Sequence, residues 1–375
     1  MSDIVIAGYL GFENSGDEAL LSIVLDGIHK LMPEKTVTVL SMRPRDTERM
    51  YGVHAVNRYS LPAVLGEMKA GSALVFGGGS LLQDVTSRRS LYYYLWLLRA
   101  AHMRGMKTML LSNGIGPLIR DSSKMNASKV LSRVDRLTLR DSESYALLQK
   151  MGVKVDGKRV AVAADPAFLL SEVSDEGGRD AGFAGIAPGE RYAVVSPRQH
   201  KGTMTVRPAV FAEVCARIRD YGIVPLIVPM QRNEDMAMSV RIAKMCRGVK
   251  IWNGSFNVAD AKRVLGSAEF ALGMRLHTLI FACAMGKPSI GVGCDPKITS
   301  FCRMTGSVCA GMDEMSDSVA LCRFVDEVML QRERFASAAS SMSAVMSQRA
   351  MGGLYELCRL MGYKNTVGTG EMLLK

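Results

Sequence analysis

The stretch Ala7-Gly-Tyr-Leu-Gly-Phe-Glu-Asn-Ser-Gly-Asp-Glu-Ala-Leu20 joins the apolar run Ile4-Val5-Ile6 to a helix-like segment through a loop with glycines at 8, 11 and 16. Glycine lets backbone approach a ligand closely, and Asn14 and Ser15 supply polar atoms there. Asp17 and Glu18 stand where an N-cap and a first-turn acid are favoured. The stretch therefore reads as a ligand loop between a buried strand and a helix, the plainer alternative being an ordinary strand-to-helix turn.

Working outward, the same rhythm recurs. Thr36 to Leu40, Ala73 to Phe76, Lys107 to Leu111 and Arg136 to Leu139 read as strands, with turns at Gly77-Gly-Gly-Ser80, Asn113-Gly-Ile-Gly-Pro117 and Arg140-Asp-Ser-Glu-Ser144. Alternating strands and helices predict an open, mostly parallel sheet whose ligand crevice lies at the carboxyl ends of the strands. A second series follows at Tyr192 to Val195, Val224 to Val228, Val249 to Trp252, Glu269 to Leu272 and Ser289 to Val292, and Asp313 to Met361 is helical in pattern. The expected class is α/β, two Rossmann-like domains with a cleft between them, of the GT-B type. The expected boundaries are 1–172 for the first domain, 173–190 for a linker, 191–345 for the second domain and 346–375 for a terminal helical segment packing back. A chain of 375 residues is also too long for one hydrophobic core.

Composition limits the function classes. Apolar residues make up 48% and charged residues 22%, so the chain is globular rather than disordered. The formal charge of +11 calls for an acidic partner. Lys and Arg are scattered and no basic-aromatic module appears, so nucleic acid is not expected. A phosphorylated substrate or an anionic membrane surface remains. Met1-Ser-Asp-Ile-Val does not read as a secretory signal, and Arg99, Arg104, Arg275 and His277 interrupt the best apolar runs, so a cytoplasmic location is expected. Eight cysteines occur without a C-x-x-C pair; reduced, packed thiols are expected and a metal is not. Leu91-Tyr-Tyr-Tyr-Leu-Trp-Leu-Leu98, flanked by arginines, reads first as a helix buried against a sheet and second as a helix at a membrane face.

Gly273-Met-Arg-Leu-His-Thr278 sets Arg275 and His277 after a strand and before the apolar segment Leu279 to Met285. A guanidinium, an imidazole and unpaired N–H groups at a helix start outline a site for phosphate or carboxylate. A salt-bridged arginine beside a packed histidine is the plainer alternative.

The ordered set Gly8-Tyr-x-Gly-Phe-x-Asn-x-Gly-Asp-Glu18, Gly77-Gly-Gly-Ser-Leu-Leu-Gln-Asp84, Asn113-Gly-Ile-Gly-Pro117, Asp165-Pro166 and Gly273-Met-Arg-Leu-His277 resembles the polysaccharide pyruvyl transferase family, CsaB type. The resemblance runs from about Ile4 to Pro288. It implies transfer of a pyruvyl group from phosphoenolpyruvate to two hydroxyls of a sugar, giving a cyclic ketal and phosphate, with no cofactor. It further implies a glycan acceptor, often a lipid-diphosphate-linked disaccharide containing N-acetylmannosamine from a cell-wall polymer that anchors surface layers. Such an acceptor would bring a basic enzyme to the inner membrane face. The R-x-H pair contributes to donor binding in that family, which matches Arg275 and His277; Arg140, Arg198 and Lys287 are expected to join them. The chemistry needs an acid for the methylene carbon and a base for the sugar hydroxyl. Asp17 is the favoured base and Glu18 the second, with His277 as the alternative acid. Gly11, Asn14, Ser15, Gly16, Gly78, Gly79, Asp84 and Asn113 are expected on the acceptor loops. Asp17, Asp84 and Asp165 have capping as their alternative role, Arg140 an ion pair with Asp141, and Lys287 a helix end. Relatives place an aromatic soon after the arginine matching Arg198, whereas this chain reads Arg198-Gln-His-Lys201, which leaves the acceptor sugar open. A GT-B glycosyltransferase using a nucleotide sugar is the rival reading; G-x-G-x-x-G spacing is absent from the first loop, against a dinucleotide enzyme.

Overall fold

The computed structural model describes residues 2–172, 184–199, 206–254, 256–293 and 295–363. The chain forms two compact units: Met1–Phe12, Asp17–Pro166 and Met346–Lys375 make the first, Glu13–Gly16 and Ala167–Val345 the second. Most of the expected linker, residues 173–183, lies outside the described residues, as do His200 and Lys201.

In the first unit, strands β1 (Ile4–Ala7), β2 (Val37–Ser41), β3 (His54–Asn57), β4 (Ala73–Gly77), β5 (Lys107–Asn113), β6 (Arg136–Leu139) and β7 (Val160–Val162) alternate with helices. The helices are α1 (Ser15–Leu31), α2 (Pro44–Tyr51), α3 (Leu61–Glu67), α4 (Arg88–Met103), α5 (Asp121–Leu131) and α6 (Ser142–Lys150). All neighbours pair in parallel, in the order β3-β2-β1-β4-β5-β6-β7. Strands covered on both faces must be apolar throughout, which is why β1 reads Ile-Val-Ile-Ala with every residue buried. The direction of winding reverses between β1 and β4.

The second unit repeats the plan. After a 3-10 turn at Pro166–Glu172 come β8 (Tyr192–Ser196), α7 (Pro208–Asp220), β9 (Val224–Ile227), α8 (Arg232–Met245), β10 (Lys250–Ile251) and α9 (Val258–Ser267). Then follow β11 (Ala271–Gly273), α10 (Leu276–Ala284), β12 (Ser289–Val292), α11 (Pro296–Thr305), β13 (Val308–Ala310) and α12 (Ser318–Leu330). The parallel order is β10-β9-β8-β11-β12-β13, with the reversal between β8 and β11. Helix α13 (Arg332–Leu360) closes the described chain.

Three short strands, β3, β7 and β13, are additions to the sequence expectation, and each lies at or next to a sheet edge or end of the order. The aromatic stretch in α4 is core: Leu91, Tyr94, Leu95, Leu97 and Leu98 are buried, and Tyr93 and Trp96 pack against them. Burial of each large side chain there contributes roughly 1.5–3 kcal/mol. No helix among the described residues is long and apolar enough to cross a membrane.

Candidate functional site

In open parallel sheets the ligand crevice forms where the winding reverses, because the loops leaving the two adjacent strands diverge there. In the first unit those loops leave β1 and β4. A small pocket lies at this point, lined by Ile6, Ala7, Gly8, Tyr9, Leu10, Asp17, Leu21, Gly77 and Gly78.

The loop after β1 is tied down at three points. Arg58 Nη1 donates to the Gly8 carbonyl at 2.7 Å, the Met42 N–H donates to the Leu10 carbonyl at 3.0 Å, and the Gly11 N–H donates to Glu18 Oε1 at 2.8 Å. Gly11 has φ +77°, and a Cβ there would stand 2.7 Å from the Arg43 nitrogen, so only glycine fits. Glu18 also accepts from the Tyr51 hydroxyl at 3.0 Å. It is thus a loop clamp, whereas Asp17, one residue earlier, lines the pocket.

Burial raises the Glu18 carboxyl above its ordinary value of 4.5, with the Gly11 N–H and the Tyr51 hydroxyl pulling the other way. A raised folded-state pKa stabilises the fold fully below 4.5 and loses that stability as the pH climbs through the raised value. Glu18→Gln, which stays neutral while keeping a carbonyl for Gly11, should flatten that fall. Melting temperatures between pH 4 and 8 should show the variant gaining on the parent as pH rises; parallel curves would refute this.

Gly78 and Gly79 turn with φ +91° and +74°, and a Cβ on Gly79 would come within 3.0 Å of Asp17 Oδ1. Asn113 fixes that turn by donating from Nδ2 to the Gly78 carbonyl at 2.6 Å, and its Oδ1 has no hydrogen-bond partner among the described residues. Two other expected residues have partners within the protein. The fully buried carboxylate of Asp84 accepts from the N–H groups of Ile119 and Arg120 at 2.7 and 3.1 Å. Arg140, expected on the donor, is engaged by Asp165 at 3.3 Å, Asp141 at 3.4 Å and Ser80 Oγ at 3.0 Å. Its side chain is 8% exposed, so a substrate would have to break those contacts to reach it.

In the second unit the reversal lies between β8 and β11, whose ends carry Arg198 and Arg275. Arg275 sits at the N-cap of α10 and is bidentate to Asp235, with Nη2 at 2.7 Å and Nε at 3.1 Å from the two carboxylate oxygens. Glu234 at 3.0 Å and Gln231 at 3.1 Å also accept from it, four bonds from five N–H groups. Asp235 is fully buried, so its charge needs this guanidinium and its desolvation is compensated there. Arg198 is in a different state. Burial first, and then the like charge of Arg275, lowers its pKa, while Glu234, Asp235 and Asp295 oppose the shift. Its buried Nε has no hydrogen-bond partner among the described residues. Arg198 is therefore the guanidinium with donor capacity to spare.

His277 lies in the first turn of α10, its ring stacked on Phe281 at 5.9 Å. Gly16 also lies against the ring: a Cβ built there would come closest to His277 Nδ1, at 2.1 Å. That short segment is held in place by the Ser15 N–H donating to the Met230 carbonyl at 2.9 Å and by a β-bridge between Asn14 and Gln231. Asn14 Oδ1 in turn accepts the Gly16 N–H at 3.1 Å, so Asn14 rather than Asp17 caps α1. Lys287 stands apart from this cluster. It follows the C-cap of α10, the length of a helix of about 14 Å away from the N-terminus that carries Arg275 and His277. Burial lowers its pKa.

Gln231, Glu234 and Asp235 were not singled out in the sequence. The signal available was the strand-end rule: Met230-Gln-Arg-Asn-Glu-Asp235 follows β9 as the other polar turns follow their strands. Among the described residues no group of three His, Cys, Asp or Glu could hold a metal ion, and the seven described cysteines are free thiols.

Over its full breadth the chain is similar to a putative UDP-N-acetylglucosamine 2-epimerase from Listeria monocytogenes, with a TM-score of 0.67, 11% identity and coverage of 97% of this chain and 98% of that one. It is similar to S. aureus MnaA bound to UDP at a TM-score of 0.64, 8% identity and 96% coverage of both chains. At those identities the likeness shows the fold alone, two parallel α/β units of the GT-B-like class. The amylovoran biosynthesis protein AmsJ of Erwinia amylovora is 19% identical over 362 residues, covering 81% of this chain and 86% of that protein. The model of the polysaccharide pyruvyl transferase family matches residues 14–296, a span that holds Asn14 to Glu18, Gly77 to Ser80, Asn113, Arg198, Arg275 and His277. The chain is thus a transferase that belongs to the polysaccharide pyruvyl transferase family.

Proposed function

We propose that this chain moves the pyruvyl group of phosphoenolpyruvate onto two hydroxyls of one sugar in a polysaccharide precursor. The observation that carries the donor is the pair Arg198 and Arg275 at the ends of the strands flanking the reversal in the second unit, with the start of α10 beside them. Arg275 is held in one orientation by three partners, and Arg198 keeps an unspent buried N–H. A compact anion with a phosphate and a carboxylate suits two such guanidiniums.

In the first step a sugar hydroxyl adds to C2 of the enol. Asp17 takes the hydroxyl proton, and His277 gives a proton to the methylene carbon, which becomes the methyl group. In the second step the neighbouring hydroxyl adds to the same carbon, its proton restoring His277, and the C2–O bond to phosphate breaks; the departing phosphate takes the proton that Asp17 held, so the ketal closes and both residues return to their starting states. Arg198 and Arg275 hold the charge on the leaving group throughout. The acceptor we assign is N-acetylmannosamine in a lipid-diphosphate-linked cell-wall polymer precursor; the formal charge of +11 favours a diphosphate-bearing acceptor at an anionic membrane surface.

The test is phosphate release from phosphoenolpyruvate by the purified chain, with and without such a disaccharide, followed by mass analysis of the acceptor. Acceptor-dependent release with a ketal-sized mass gain is expected. Arg198→Ala should raise the KM for phosphoenolpyruvate about 10- to 100-fold, the worth of one or two charge-assisted hydrogen bonds. Its melting temperature should change little, because Nε has no hydrogen-bond partner among the described residues. Absence of both turnover and calorimetric binding of phosphoenolpyruvate would overturn the donor and direct attention to nucleotide sugars.

A further inference from the structure

The polysaccharide acceptor must present a sugar ring to the base, and the sequence places no Phe, Tyr or Trp at positions 199–206, directly after Arg198. The first loop offers rings instead. Tyr9 and Phe12 are stacked face to face, with ring centroids 4.1 Å apart and planes within 6°. Both rings are half-buried, and Tyr9 lines the same pocket as Asp17. Apart from Asp17, the other groups that line that pocket are glycines and aliphatic residues, so Tyr9 is the aromatic residue among its lining.

The stack is held rigidly. Behind it stands Arg58, a guanidinium only 3% exposed, whose charge lies 5.2 Å from the Phe12 centroid, 4.6 Å from Tyr93 and 5.4 Å from Tyr94. Its hydrogen bonds run to the Gly8 carbonyl and, at 3.2 Å, to the Tyr94 hydroxyl, while the Tyr93 hydroxyl donates to the Arg58 carbonyl at 2.9 Å. A buried cation surrounded by ring faces costs desolvation that cation–π contact and these hydrogen bonds offset. What the arrangement secures is the position of residues 8 to 12, and so of two parallel stacked rings, of which Tyr9 lines the small pocket.

We infer that the Tyr9–Phe12 stack is the platform on which the acceptor sugar lies, its C–H face on the Tyr9 ring and its hydroxyls toward Asp17. The inference rests on the acceptor half of the proposed function and is independent of the donor. Stacking is indifferent to the donor's charge and tolerant of ring identity, so the aromatic character of residue 9 matters and its hydroxyl does not.

The experiment reads sugar binding without turnover. Saturation-transfer NMR is run on the full chain with the methyl glycosides of N-acetylmannosamine, N-acetylglucosamine and galactose as probes, for the parent, Tyr9→Phe, Tyr9→Leu and Phe12→Leu. Transfer to the C–H protons of at least one glycoside is expected in the parent and in Tyr9→Phe. Tyr9→Leu should lose it at least tenfold, and Phe12→Leu should weaken it, with circular dichroism melts confirming that each variant is folded. Calorimetry with phosphoenolpyruvate should give the same Kd for all four. Undiminished transfer in Tyr9→Leu, or no transfer to any glycoside in the parent, overturns the platform. Sugar binding that depends on Tyr9 together with no binding of phosphoenolpyruvate would instead retain the platform and remove the donor assignment.

Discussion

Gly16→Ala is expected to lower turnover at least about a hundredfold while leaving the protein folded. Taken alone the exchange should help, since alanine is favoured over glycine inside a helix by roughly 0.5–1 kcal/mol. Gly16 has no positive φ that would forbid a side chain. The opposing fact is space. A methyl at Gly16 would sit 2.1 Å from Nδ1, 2.6 Å from Cγ and 2.9 Å from Cε1 of His277, so the whole imidazole must swing away. Displacing a reacting group by about 1 Å can cost about a hundredfold in rate. The melting temperature should move only by a few degrees, because the histidine can rotate and the helix gains. Steady-state phosphate release would check this, alongside His277→Ala. The double variant should be no slower than His277→Ala, since both exchanges act on one group and their effects do not add. Near-normal turnover in Gly16→Ala would remove His277 from the chemistry.

Arg140→Ala is expected to cost about 3–5 kcal/mol of stability in the first unit, the usual penalty for stripping one partner from a buried ion pair. Asp165 is only 1% exposed, and Arg140 reaches it from a turn where it also bonds Asp141 and Ser80. Without the guanidinium the Asp165 charge stays buried. Replacing both charged residues, as Arg140→Met with Asp165→Asn, should recover much of the loss. Trp96 lies in the first unit and Trp252 in the second, so urea unfolding followed by fluorescence in a Trp252→Phe background reports the unit concerned. A loss under about 1 kcal/mol would show that the pair is not a structural lock.

How far the sequence could be read depended on where each signal lay along the chain. Ser289 to Val292 was legible as a strand because both faces are covered and the run Ile290-Gly-Val292 carries no polar side chain. His54–Asn57 was not, since an edge strand with one open side keeps polar ends and reads His-Ala-Val-Asn. Arg275 and His277 stood out because two polar groups interrupt an apolar segment. The carboxylates that orient Arg275 did not, because Glu234 and Asp235 lie some forty positions upstream and meet it only through the pairing of β8 with β9 and β11. Arg58 was invisible for the same reason: its ring neighbours are scattered over Phe12, Tyr59, Tyr93 and Tyr94. For Asp84 and Arg140 the motif left two roles open, since only geometry shows the backbone N–H groups and the carboxylates that engage them.

The last helix bears on how such chains can be recombined. From Met346 onward α13 belongs to the first unit, where Gly353 lies against Ser112, Leu354 fills the space beside Gly27, and Lys107 donates to the Leu360 carbonyl at 2.7 Å. Residues 13–16 belong to the second unit although they precede most of the first. Neither half is a single stretch of gene. A chimaera that joins the first 166 residues of one relative to the remainder of another therefore mixes parents inside both units, and a workable shuffle must carry the final helix along with the N-terminal half.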